Sequence, residues 1–130
     1  MTAEFFRLVR TRMAEGGLLM MNLLDVSRRR ELLLSTVATL KGIFPSVFVF
    51  PRPYGNHILL AFPRPWLARS IHERLGGLEA MGPVGRLAQE AARDITELIP
   101  PAGTLVFTDD RAPVEEITRR MLAEYRDRRF

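Results

Sequence analysis

No cysteine occurs in the 130 residues, and that absence removes disulfides, thiolate metal sites and cysteine nucleophiles together. Lysine is almost missing as well: Lys41 stands alone, so the formal net charge of +4 is carried almost wholly by arginine. Histidine is limited to two residues, and His72 has no carboxylate or second histidine at metal-ligand spacing, so no metal site is expected. No apolar run approaches the roughly 20 residues that span a bilayer. The N-terminus Met1-Thr2-Ala3-Glu4-Phe5-Phe6 has an acidic residue where a secretory signal carries basic ones, so a cytoplasmic location with no membrane partner is expected. Also missing is a glycine-rich turn between a strand and a helix, whose N–H groups would hold a nucleotide-type cofactor. This chain alone is expected to bind no cofactor.

What is present suits one domain over residues 1–130. At 14.8 kDa and 47% hydrophobic residues, the chain can bury a single core with little to spare for a second. Its arginines gather in Arg28-Arg29-Arg30 and Arg126-Asp127-Arg128-Arg129. Without aromatic interleaving or a nucleic-acid motif, these runs read as solvated faces, and an arginine-rich nucleic-acid module rests on arginine count alone.

The pattern of apolar residues orders the elements. Residues 3–14 predict a helix with Phe5, Leu8, Val9 and Met13 on one stripe, Thr2 as N-cap and Gly16 as the stop. Residues 17–24 follow as a strand, and its continuous run Leu18-Leu19-Met20-Met21 predicts burial on both faces, as inside a parallel sheet. Asp25 or Ser27 can cap a helix over 28–41 with Leu33, Val37 and Leu40 inward, flanked by Leu32 and Thr36. Val47–Phe50 is the next strand. The loop from Pro51 to Asn56 is too short for a crossover, so Ile58–Phe62 should return antiparallel to it. Helices are predicted over 66–75 and 84–99, an extended segment over Thr104–Phe107 and a last helix over 113–125. The fold class is α/β, with parallel strands and an antiparallel C-terminal hairpin flanked by helices.

Three motifs in this order carry a resemblance: Gly16-Gly17-Leu18-Leu19-Met20-Met21-Asn22, Thr39-Leu40-Lys41-Gly42-Ile43-Phe44-Pro45 and Thr108-Asp109-Asp110-Arg111-Ala112-Pro113-Val114-Glu115. Together the chain resembles the C-terminal half of spermidine synthase-like proteins, of the class I S-adenosylmethionine-dependent methyltransferase fold. That resemblance implies a partial Rossmann-like sheet holding only the last three of seven strands. It also implies that the cofactor loop, the acidic residue after the second strand and the main catalytic aspartate lie in an absent half. S-adenosylmethionine or its decarboxylated form would bind only if such an N-terminal half is supplied. The strand at 18–21 then needs a cover for its other edge: a second copy giving a homodimer, a separately encoded N-terminal half, or Thr104–Phe107 folding back.

Ligands of open α/β sheets bind at the carboxyl ends of the strands, which gathers Asn22, Asp25, Tyr54, Asn56 and His57 on one rim. Each has a structural alternative: Asn22 as a strand-end residue, Asp25 as a cap, Gly55-Asn56 as turn chemistry, His57 as a hydrogen-bonded strand residue and Tyr54 as a loop anchor. Asp109 and Asp110 suit either an N-terminal cap or the binding of a cationic amine, as the resemblance to a polyamine enzyme implies. Met13, Met20, Met21 and Met81 read as core filling, and Trp66 as a packing anchor. The leading functional expectation is a substrate-side or assembly module, not catalytic alone. The alternative is a small transferase acting on a cationic amine.

Overall fold

A computed structural model describes residues 1–128, so Arg129 of the terminal arginine run lies outside the described residues. The described chain runs α1 (Ala3–Arg12), β1 (Leu19–Leu24), α2 (Glu31–Lys41), β2 (Ser46–Pro51), β3 (Asn56–Phe62), α3 (Ala68–Gly76), α4 (Pro83–Asp94) and α5 (Val114–Asp127). These five helices flank a three-stranded sheet, which makes the fold α/β.

The sheet order is β1-β3-β2, and both ladders are antiparallel. The expected parallel strands are therefore corrected. β1 and β2 point the same way, but β3 lies between them, so no two neighbouring strands among the described residues run parallel. The β2–β3 hairpin is as expected, from Ser46↔Phe62 to Pro51↔His57. What the residue pattern does not encode is that α2 returns the chain one strand further on. That leaves a slot about two inter-strand spacings wide, roughly 10 Å, which β3 fills.

β1 departs from expectation a second time. Leu19, Met21 and Leu23 pack on the core, but Leu18 and Leu24 are exposed and Met20 is 65% exposed. The strand is thus half-buried with alternating faces, not an inner ribbon. Its inner edge pairs with β3 from Leu19↔Ala61 to Leu24↔Asn56, and no described backbone group pairs with its outer edge. The outer edge of β2, by contrast, is partly covered: Val49 and Thr96 exchange both backbone hydrogen bonds, at 2.8 and 2.9 Å. That bridge is also why α4 stops at Asp94, short of the predicted 99.

Register sorts the side chains into two layers. Leu23, His57, Leu59, Ala61, Val47 and Val49 lie on one face, under α1, α2 and α5. Phe48, Leu60 and Phe62 lie on the other, against Ile71, Ile95 and Trp66, with Ser46 Oγ holding the Trp66 backbone. Trp66 is a packing anchor as expected. Met13 and Met21 are partly buried and pack against the main core, whereas Met20 and Met81 are exposed.

α2 is the best-buried helix, and its predicted stripe holds: Leu32, Leu33, Thr36, Val37 and Leu40 are all buried. Thr36 and Thr39 satisfy their hydroxyls by donating to Leu32 and Ser35 carbonyls one turn back. α1 has Thr2 as its N-cap, accepting from Phe5 N–H, but its buried residues are Ala3 and Phe6 while Phe5 and Leu8 are exposed. The tandem Phe5-Phe6 offers two stripes about 100° apart, and the sequence does not rank them.

Thr104–Phe107 is an extended segment without strand partners among the described residues, and it meets α2 at the buried Thr39. Phe107 is fully buried, its N–H donates to Thr39 Oγ1 at 2.9 Å, and its carbonyl accepts from Ala3 N–H at 2.8 Å. The segment therefore clamps α1 to α2 and leaves β1 uncovered.

Candidate functional site

Asp25 is the first residue past β1, and its side chain organises the turn that follows. One carboxylate oxygen accepts from Ser27 N–H and Ser27 Oγ at 2.9 and 2.6 Å; the other accepts from Leu33 N–H at 2.9 Å. Asp25 thus caps α2 from eight positions upstream, taking a donor in the first turn that the helix cannot satisfy itself. The helix starts at Glu31, later than residue 28, because the arginine run is spent in reaching this geometry. Arg30 sits at the N-cap position in a left-handed conformation, φ 51°, with no side-chain cap bond.

The 52–55 loop docks on this turn. Asp25 N–H donates to Gly55 O at 2.9 Å, and Gly55 has φ +78° with its Hα side against Val26. A Cβ there would lie 2.5 Å from Val26 Cγ1 and 3.0 Å from Asp25 O, so only glycine fits. Gly55→Ala is expected to cost about 1–3 kcal/mol, read as a lower urea midpoint with an unchanged slope.

Between these loops and the end of α5 lies a cavity of about 390 Å³, lined by Asp25, Arg30, Arg52, His57, Tyr125 and Arg128 among others. His57 is 6% exposed, and neither ring nitrogen has a hydrogen-bond partner among the described residues. Burial holds its pKa below the ordinary 6.5, the Arg30 charge adds to that, and the Asp25 carboxylate and the adjoining Asp25 backbone, which stands outside good hydrogen-bond geometry, oppose it. Between that lowered value and 6.5, the unfolded chain binds a proton that the native protein does not. Stability therefore falls as pH drops through this window. His57→Gln should flatten the acid side of the melting-temperature profile below pH 6.5 relative to wild type.

The rim that the sequence predicts is only partly assembled. Asp25 and His57 meet in the cavity. Asn22 and Asn56 do not, because pairing with Ile58 and Leu24 places both on the opposite face of the sheet from His57. Tyr54 is 91% exposed, in a left-handed turn conformation with φ 62°. Asp109 and Asp110 stand in a tight turn between Thr108 and Arg111, before α5, whereas Tyr125 and Arg128 reach the cavity from its other end. The eleven steps from Val114 to Tyr125 make that separation about 16 Å along the helix. Nor does either aspartate cap α5, whose N-cap is Pro113; Asp109 instead accepts from the Thr2 hydroxyl, and its N–H donates to Glu4. Sequence reading missed Arg30, Arg52 and Arg128, which sit on three separate segments and converge only in the fold. The one available signal was that two of them belong to arginine runs at helix ends.

No family model matches the sequence, and a search of curated proteins finds no match. In three dimensions, the chain is similar to the crystal structure of a probable spermidine synthase from Corynebacterium glutamicum, with a TM-score of 0.52 and 20% identity. The match covers 87% of this chain and 42% of that one. The fold resembles part of that probable spermidine synthase. At this identity the likeness concerns the fold alone, and this chain spans less than half of the matched protein's length. Among the described residues, no helix is long and apolar enough to cross a membrane, and no three His, Asp or Glu residues gather as metal ligands.

Proposed function

We propose that this chain is the substrate-side portion of a spermidine synthase-like protein and becomes competent only when β1 is joined by a complementary, cofactor-binding half. The observation that carries this reading is β1 itself: its outer edge has no described partner, and its outward face presents Met20 and Leu24. A bare apolar strand of this kind is a template for pairing. Next to it, Met20, Leu60, Leu75, Val84 and Leu87 line a wholly apolar cleft of about 300 Å³, so the uncovered surface extends beyond one strand. The partial span of the structural match supports the same reading. S-adenosylmethionine, or its decarboxylated form, would then be held by the other half, since this chain has no glycine-rich cofactor turn.

A cationic amine substrate bound by this chain alone is the weaker reading. The rim cavity carries three guanidinium groups against one carboxylate that already accepts three hydrogen bonds, and a polyamine would be repelled there.

Calorimetry and hydrogen exchange test the proposal together. The isolated chain should show no saturable heat with S-adenosylmethionine, and the outer amides of Leu19–Leu24 should exchange fast in a dilute monomer. Saturable cofactor binding would overturn it. Protection of β1 that rises with concentration, with doubled mass in sedimentation, would replace the complementary half by a second copy.

A further inference from the structure

The geometry points to a site for a small phosphoryl-bearing anion in the cavity at the carboxyl ends of β1 and β2, held by Arg30, Arg52 and Arg128 above the buried imidazole of His57. This assignment is independent of the family likeness. It rests on how poorly these groups are satisfied without a ligand. The Arg30 guanidinium makes no hydrogen bond or ion pair with a described residue, although the Arg30 carbonyl accepts from Leu34 N–H at 2.9 Å. Arg52 lies 3.8 Å from Glu90 and 5.0 Å over the Phe50 ring, and Arg128 reaches Glu124 and the Val26 carbonyl at 3.4 Å each, all longer than the 2.7–2.9 Å of a strong charge-assisted contact. His57 is more than nine-tenths buried with two nitrogens unpartnered among the described residues, a state a protein rarely tolerates away from a functional site.

The neighbouring cleft around Arg120 serves as a contrast. There the guanidinium is already held by Glu31 at 2.9 Å and Glu116 at 2.7 Å, so it offers no free charge. In the rim cavity, the lining carries three arginines and one aspartate, an excess of positive charge suited to a multiply charged oxyanion. Its volume of about 390 Å³ also falls within the range of small-molecule sites, large enough for a phosphoryl group and part of the molecule bearing it. His57 sits below the cavity floor with its nitrogens shielded from water. It therefore acts through charge: a bound dianion offsets Arg30 and lets the imidazole take up a proton. The charged and titratable groups facing it are Asp25 after β1, Arg30 before α2, Arg52 after β2, and Tyr125 and Arg128 at the end of α5.

Pyrophosphate is the probe, titrated into the full chain by calorimetry while the His57 ring is followed by NMR. Saturable one-site binding is expected, with the His57 pKa rising on saturation. Arg30→Gly should weaken binding by about tenfold or more, and because glycine accepts the left-handed backbone of that position, the variant keeps its fold. Arg111→Gln, in the turn before α5, should bind as wild type. The proposal is overturned if pyrophosphate fails to saturate, if Arg30→Gly and Arg111→Gln weaken it equally, or if the His57 resonances stay still. Equal or tighter binding of citrate would overturn the phosphoryl assignment.

Discussion

Phe107→Ala is expected to destabilise the protein by about 3–5 kcal/mol, lowering the melting temperature by roughly 10–20 °C. The size follows from three facts about one residue. Its ring is completely buried in the main core, in a segment that has neither helix nor strand to hold it. Its two backbone groups are committed elsewhere, to Thr39 Oγ1 on α2 and to Ala3 N–H at the start of α1. Truncation leaves a ring-sized void and removes the anchor that keeps those two bonds in place. Thr39→Val tests the second contribution separately, because it keeps the volume and deletes the acceptor. Its cost should be smaller, about 1–3 kcal/mol for a buried N–H left without a partner. Thermal unfolding followed by circular dichroism reads both. A Phe107→Ala protein that melts within a few degrees of wild type would show that the segment is not an anchor.

Asp25→Ala carries the second large effect, about 2–4 kcal/mol. The carboxylate is 3% exposed and accepts three hydrogen bonds, one of them from the otherwise unpaired Leu33 N–H in the first turn of α2. Losing it combines the cost of a lost helix cap with that of a buried donor left unsatisfied. Asp25→Asn retains an acceptor on one side and should lose less. The same substitutions report on His57. Because the Asp25 carboxylate works to raise the imidazole pKa, removing the charge should lower that pKa further, which NMR titration of the ring detects. An unchanged His57 titration in Asp25→Asn would mean that the two groups do not interact.

How far the sequence carried these conclusions depends on the kind of information each needs. α2 was legible because helical periodicity is local, and Leu33, Val37 and Leu40 are buried as their spacing requires. The hairpin was legible for a similar reason: a loop from Pro51 to Asn56 leaves no room for any other return. The order of strands was not, since it depends on where α2 delivers the chain, and no residue of β1 or β2 records its neighbour. β1 was misread because Leu18 to Met21 are all apolar, and apolarity equally describes a strand inside a sheet and one at its border. The candidate site divides in the same way. Asp25 and His57 were identified from their place at strand ends, while Asn22 and Asn56 fell to the other face once register fixed the parity. Arg30, Arg52 and Arg128 look like ordinary surface charge until three segments bring them together around one cavity.

The placement of β3 has a kinetic consequence. β2 and β3 can zip together as soon as the short Arg52–Gly55 turn closes, but β1 must wait for that ribbon and then find it across the whole length of α2. The first strand made is thus the last to dock and the least securely fastened, gripped along a single side. A chain built this way keeps that strand as the most easily loosened part of the sheet, the first to open while the rest stays folded.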